Sequence, residues 1–224
     1  MTLPLNTIIC GDCLEVLRTL PDKCVDLVLT DPPYGIDEHG GAKNRFSHKS
    51  KEKGFSLRNY DDGNWDNEIP SKEYFDEITR VSKNQIIFGG NYFVEYLRNS
   101  PCWLVWDKKE TANNDFADCE LIYTSFKTAV RKFVYGWTGF EGINNLSRTN
   151  ERRTHPTQKP TPLLRWILEN YSKEGDIILD PFLGSGTTAL ACKALKRNYI
   201  GIEISPEYCA IAQQRLDNTP EPML

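Results

Sequence analysis

No stretch of this 224-residue chain approaches the roughly 18 to 20 consecutive apolar residues that cross a bilayer. Its opening, MTLPLNTIICGD, lacks the basic head and long apolar run of a secretion signal. Both absences lead to the expectation of a soluble, cytoplasmic protein with no membrane partner. Also missing is a second cysteine pair to match Cys10 and Cys13 at zinc-like spacing, so the lone CxxC falls short of a metal site and no metal is expected. The seven cysteines (Cys10, Cys13, Cys24, Cys102, Cys119, Cys192 and Cys209) are odd in number and lie mostly in apolar segments, as reduced thiols packed like small hydrophobes do. Internal repeats and low-complexity tracts are absent. A positive charge balance is absent too: the net charge is -4, whereas nucleic-acid binders usually carry a basic excess.

The distribution of charge says more than its sum. From Lys43 to Arg58 the chain carries Lys43, Arg45, Lys49, Lys51, Lys53 and Arg58 against only Glu52. Lys127, Arg131 and Lys132 form a second basic group, and Arg148, Arg152 and Arg153 a third. Such runs are often no more than solvated surface; their place relative to the motifs below argues otherwise.

The length suits one α/β core without room for a second independent domain, so residues 1–224 are expected to form a single domain with decorated loops. Seven short apolar or β-branched segments read as strands: 6–10, 25–30, 84–88, 102–106, 120–126, 176–180 and 199–204. Near-continuous apolar strands alternating with helical patterns predict a largely parallel, doubly wound sheet covered on both faces. Ser205 and Pro206 make a helix start, with Ala210, Ile211 and Leu216 as its inner face. Another helix should begin near Pro162 and place Leu163, Trp166, Ile167 and Tyr171 along one stripe. Polar stretches at 35–70 and 136–154 break the alternation, and loops of that length usually serve a function or lack order.

Two segments carry chemistry. The strand DIILD runs into Pro181-Phe182-Leu183-Gly184-Ser185-Gly186-Thr187-Thr188 and then a helix. A strand, a glycine turn and a helix start together let a ligand lie against backbone at the carboxyl edge of a sheet. The spacing is not GxGxxG, and Asp180 before the turn would repel a pyrophosphate; a cationic amino-acid group suits that carboxylate better. Glu203, at the end of the following strand, can accept hydrogen bonds from both hydroxyls of a ribose. The strand VDLVLT ends in Asp31-Pro32-Pro33-Tyr34. Two prolines remove two N–H donors, so the Asp31 carboxylate and an outward carbonyl can converge as acceptors on one external amino group. An aromatic amino group is a weak nucleophile because its lone pair is delocalised, and two acceptors on its hydrogens return that pair to nitrogen. Tyr34 offers a ring face on which a base could stack.

In combination DPPY, DPFLGSGTT, GIEIS and HPTQKP resemble the motif set of the amino-methylating DNA methyltransferases, and their order resembles the class called beta. The resemblance implies a Rossmann-like methyltransferase fold, a mixed seven-stranded sheet circularly permuted so that the cofactor strands come last, and S-adenosylmethionine as cofactor. It implies Asp31, Pro32, Pro33 and Tyr34 as catalytic residues. Matched to the cofactor are Asp12 and its neighbour Cys13, Thr157 and Lys159 of HPTQKP, Asp180, Phe182, Gly184, Ser185, Gly186, Thr187 and Glu203. It further implies that the 35–70 and 107–154 segments overhang the site and face double-stranded DNA, with Lys43, Arg45, Lys49, Lys51, Lys53, Arg58, Arg148, Arg152 and Arg153 touching phosphates. A homodimer follows by family analogy alone, and His155 is read as structural rather than as a base.

The resemblance implies methylation of the N6 amino group of adenine, because the cytosine-N4 enzymes more often have Ser in place of Asp31. Cytosine N4, and RNA or protein amino groups, share the mechanism. A cytosine-C5 enzyme would need a Pro-Cys nucleophile; Pro101-Cys102 exists but opens an apolar strand without a cationic neighbour. A silent DNA-binding protein on the same scaffold would be expected to have lost Asp31 or the glycine loop, and both are present.

Overall fold

The computed structural model describes residues 2–35, 69–108, 117–136 and 158–220. The strands are β1 (Thr7–Cys10), β2 (Val25–Thr30), β3 (Ser82–Phe88), β4 (Trp103–Asp107), β5 (Cys119–Thr124), β6 (Arg131–Val134), β7 (Ile177–Asp180) and β8 (Asn198–Glu203). The helices are α1 (Cys13–Thr19), α2 (Lys72–Val81), α3 (Thr161–Tyr171), α4 (Thr187–Ala194) and α5 (Pro206–Asp217), with a 3-10 turn at Gly90–Tyr92.

The strands join in one sheet in the order β1-β8-β7-β2-β3-β5-β4-β6. All neighbours run parallel except β5, which is antiparallel to both β3 and β4, so the sheet is mixed. Eight strands among the described residues replace the expected seven. The extra one, β6, pairs with β4 from Leu104↔Arg131 to Asp107↔Val134. Its residues Arg131, Lys132 and Val134 are exposed, so this edge strand has no apolar signature and reads in sequence as a basic patch.

Burial runs almost unbroken along the central strands, because both faces of the sheet are covered. Leu27, Leu29, Ile86 and Ile178 pack with Leu163, Leu164, Ile167 and Leu168 of α3 and with Ala189, Ala191 and Cys192 of α4. Val28, Leu179, Ile200 and Ile202 pack on the opposite face with Leu17 of α1 and with Ile78 and Val81 of α2. Each buried Leu or Ile of this kind contributes about 1.5 to 3 kcal/mol of transfer free energy, which fixes the register of the central strands. The helix caps follow the sequence. Ser205 accepts a hydrogen bond from the Tyr208 amide, and Asp12 caps α1 by accepting from the Glu15 amide at 3.0 Å. The inner face of α5 is carried by Ala212 and Leu216, while Ala210, expected to point inward, is exposed. Among the described residues no helix is long and apolar enough to cross a membrane.

The topology decides where the chemistry can sit. The carboxyl ends of the parallel strands β1, β8, β7, β2 and β3 fall on one edge of the sheet, carrying Asp12, Glu203, Asp180, Asp31 and Gly89. Because β5 is antiparallel to β3, with Phe88 opposite Ile122, its first residues, not its last, reach that same edge.

Candidate active site

The edge has two halves. In the first, β7 ends at Asp180, which is only 4% exposed. Its Oδ1 accepts from the Thr30 hydroxyl at 2.7 Å and from the Phe182 amide at 3.2 Å. Burial pushes its carboxyl up to about 6, against hydrogen bonds from Thr188 and Thr30 that favour the charged form. Asp180 thus ties the glycine turn to β2 from beneath. The turn is tight: Gly186 N–H donates to the Leu183 carbonyl at 3.1 Å, and Gly184 and Gly186 hold φ of +55° and +85°, conformations that favour glycine.

Glu203 closes the turn from the side. Its Oε2 accepts from the Gly184 amide and its Oε1 from the Ser205 amide, both at 2.8 Å. Each carboxylate oxygen offers two acceptor directions, so one per oxygen remains for an external donor. Burial pushes this carboxyl up, opposed by the backbone amides. Beside it, β1 pairs Cys10 with Glu203 and leads directly into Asp12. Asp12 Oδ2 accepts from the Tyr74 hydroxyl at 3.3 Å, and the Tyr74 ring lies 5.9 Å from that of Phe182. Asp12, Tyr74 and Phe182 therefore line one wall next to the Glu203 carboxylate. Cys13 is buried, its thiol pushed up to about 12 by burial first and by Asp12 second, which leaves it a packing residue under that wall.

Three other members of the motif turn inward. The side chains of Ser185 and Thr187 accept from Arg215 of α5 at 2.9 and 3.3 Å, and the Ser185 carbonyl accepts from the same group at 2.5 Å. A Cβ on Gly186 would meet Ala212 Cβ at 2.8 Å. Its missing side chain makes room for α5.

The second half follows β2. Asp31 Oδ1 accepts from the Tyr34 hydroxyl at 2.6 Å, and Oδ2 faces the Lys159 ammonium at 2.6 Å. Burial pushes the Asp31 carboxyl up, and the Lys159 charge pulls against it. The Tyr34 ring stacks on Tyr92 with centroids 4.8 Å apart at 16° and meets Phe93 edge-on. Gly89, at φ +62°, permits this, since a Cβ there would lie 2.6 Å from Tyr34 Cζ. Lys159 stands 5.3 Å from the centre of the Phe88 ring and 5.5 Å from that of Tyr34, within cation–π range. Beyond it, at the start of β5, lies Glu120, held by Lys108 at 2.7 Å.

Structure thus joins Asp31, Tyr34 and Lys159 in one cluster and Asp12, Phe182, Gly184 and Glu203 in another, linked through the Thr30–Asp180 hydrogen bond. Sequence reasoning missed Thr30, Tyr74, Gly89, Tyr92 and Glu120. Pro101-Cys102 is disposed of by placement: Cys102 is 0% exposed and its sulfur accepts from the Thr128 hydroxyl at 3.1 Å. Thr157, His155 and the nine basic residues expected to contact DNA lie outside the described residues. Of the second basic group, Lys132 pairs with Asp107 at 3.1 Å.

Comparison with known proteins agrees with the geometry. The family model described as a DNA methylase, that of the N6/N4 methyltransferases, matches residues 95–214. The type II methyltransferase M.HinfI of Haemophilus influenzae is 30% identical over 253 aligned positions, covering 95% of this chain and 68% of the relative. Among solved structures, the M1.HpyAVI–SAM complex superposes with a TM-score of 0.57 at 23% identity, over 94% of this chain and 98% of that one. The PvuII DNA methyltransferase, described as cytosine-N4-specific, gives a TM-score of 0.62 at 16% identity, over 96% and 88%. The two structures establish a shared methyltransferase fold, and the relative and the family model establish descent: this chain belongs to the amino-methylating N6/N4 DNA methylase family.

Proposed function

We propose that this protein transfers a methyl group from S-adenosylmethionine to the N6 amino group of adenine in double-stranded DNA. The observation that carries the reading is the Asp31 carboxylate. It stands at the carboxyl end of β2, oriented by Tyr34 at 2.6 Å, one strand away from the glycine turn and two from the Glu203 carboxylate.

The residues fit the cofactor. Glu203 keeps acceptor directions for two ribose hydroxyls, the Phe182–Tyr74–Asp12 wall offers ring surface and an acceptor for adenine, and the glycine turn lies between that wall and Asp31. When bound, S-adenosylmethionine supplies an electrophilic methyl group on a sulfonium. The protein's part is orientation and electrostatics. A base flipped out of the duplex reaches the edge of the sheet. Asp31 and the Pro32 carbonyl accept its two amino hydrogens and concentrate the lone pair on nitrogen. With the cofactor bound, its methyl would pass to the amino nitrogen while the bonding electron pair stayed on sulfur, and Asp31 would hold the amino group as it gained positive charge. The nearby Asp31 charge opposes that cost, and its carboxyl, pushed up by burial, is suited to take the departing proton. No covalent bond to the protein is required.

The target-recognition role would fall to the 35–70 segment and to the parts of 107–154 outside β5 and β6, whose Lys and Arg residues would neutralise phosphates. Adenine is favoured over cytosine by the aspartate at position 31. Enzymatic digestion of methylated DNA to nucleosides, followed by mass spectrometry, tests this: N6-methyladenine is expected. N4-methylcytosine as the main product would overturn the base assignment and leave the site standing.

A further inference from the structure

The Lys159 ammonium competes with the target amino group for Asp31. Asp31 Oδ1 holds the Tyr34 hydroxyl and its Oδ2 the Lys159 ammonium, each at 2.6 Å. An ammonium and a base amino group are both donors, and Oδ2 is the acceptor they share. The conflict sharpens during reaction, because the attacking nitrogen gains positive charge and then needs the Asp31 carboxylate most.

The structure contains somewhere for that cation to go. Glu120 Oε2 lies 3.5 Å from Lys159 Nζ, an ion-pair distance beyond a formed hydrogen bond. It is buried and has no hydrogen-bond partner among the described residues. The other oxygen, Oε1, is fixed by Lys108 at 2.7 Å, so the carboxylate is held still with its open oxygen toward Lys159. The backbone beneath is fixed as well, since Glu120 pairs with Trp106 in the β4–β5 ladder. Buried polar groups are almost always satisfied, and a carboxylate oxygen whose ammonium partner stands 3.5 Å away has room for a closer bond.

We propose that Glu120 is a positioning residue that receives the Lys159 ammonium when the target base arrives, moving it from Asp31 Oδ2 to Glu120 Oε2 and releasing Asp31 for the amino group. The displacement needed is on the order of 1 Å, since the ammonium needs only to close to hydrogen-bond distance. Before the base arrives, Lys159 compensates the Asp31 charge in a site largely withdrawn from water. Afterwards the same cation sits closer to Glu120, and the Asp31 charge is left facing the amino nitrogen as that nitrogen becomes cationic. This account rests on Asp31 being the acceptor for the target amino group.

A double-mutant cycle measured under single-turnover conditions, on the full chain with DNA and saturating S-adenosylmethionine, tests it. Glu120→Gln removes the receiving charge and keeps the shape; a methylation rate at least about tenfold lower is expected, with cofactor affinity changed less than about twofold. Combined with Lys159→Met, the same Glu120→Gln change should cost less than about twofold, because no ammonium remains to be moved. An equal loss in both backgrounds, or none with Lys159 present, would overturn the proposal. A crystal structure with DNA and a non-reactive cofactor analogue gives a second readout that does not depend on the variants folding: Lys159 Nζ is expected at hydrogen-bond distance from Glu120 Oε2, and Nζ still on Asp31 beside a bound base amino group would refute it. Asp31→Ala separates the two levels. An active Asp31→Ala enzyme defeats the underlying reading, whereas an inactive one with additive Glu120 and Lys159 effects defeats this inference alone.

Discussion

Gly89 and the ring of Tyr34 claim the same space: a Cβ on Gly89 would stand 2.6 Å from Tyr34 Cζ, and the backbone there has φ +62°. The turn after β3 is therefore shaped to Tyr34, which in turn orients Asp31.

Gly89→Ala is expected to displace the Tyr34 ring and break its hydrogen bond to Asp31, besides costing about 1 kcal/mol of backbone strain. Single-turnover methylation should fall about 10- to 100-fold, the scale of a small misplacement of a reacting group. Cofactor affinity measured by calorimetry should stay near normal, since Glu203 and the glycine turn are untouched.

Asp180 makes stability depend on pH in a stated direction. Its carboxyl is pushed up to about 6 in the folded protein from an ordinary 3.8, so between those values the folded state holds a proton that the unfolded state has lost. Stability from this group therefore declines as pH rises from about 4 to about 6, and above 6 the penalty is full, up to about 3 kcal/mol. Asp180→Asn removes the ionisation and keeps an acceptor for Thr30. Its melting temperature should exceed that of the wild type at pH 8, with the advantage fading as pH is lowered toward 4. A constant difference across that range would assign the effect to packing.

Glu203 and Gly186 belong to one motif but should fail differently. Glu203→Ala removes the acceptor for the ribose and for two loop amides, and S-adenosylmethionine affinity should drop at least about tenfold, as for a lost charge-assisted hydrogen bond. Gly186→Val drives a side chain into Ala212 of α5 at a φ of +85°, so its first effect is a lower melting temperature without ligand. Thermal unfolding and calorimetry on both variants distinguish them; a Gly186→Val protein with native stability but no affinity would restore a direct ligand role.

The sheet and the site were legible to different depths. Strands such as VDLVLT and DIILD are buried on both faces, so their apolar runs and the acids ending them could be read from sequence and placed on one edge. β6 could not, because an edge strand whose Arg131 and Lys132 face solvent has no apolar pattern to read. Glu120 was hidden for a topological reason: it opens a strand, and only the antiparallel course of β5 turns a strand's beginning toward the site. Gly89, Tyr92 and Tyr74 were missed because their roles lie in ring contacts between distant segments. Gly186 was recognised as necessary, but its reason, the approach of α5, exists only in the packed structure.

The central claim is that Asp31 acts on the reacting amino group and not on the cofactor. Asp31→Ala, assayed by single-turnover methylation alongside calorimetric titration with S-adenosylmethionine, tests it most directly. A rate lowered by at least about 100-fold, as when one preorganised polar group is removed from a transition state, with cofactor affinity within about threefold of the wild type, is the predicted result; near-normal turnover, or a loss of activity explained wholly by lost cofactor binding, would contradict it.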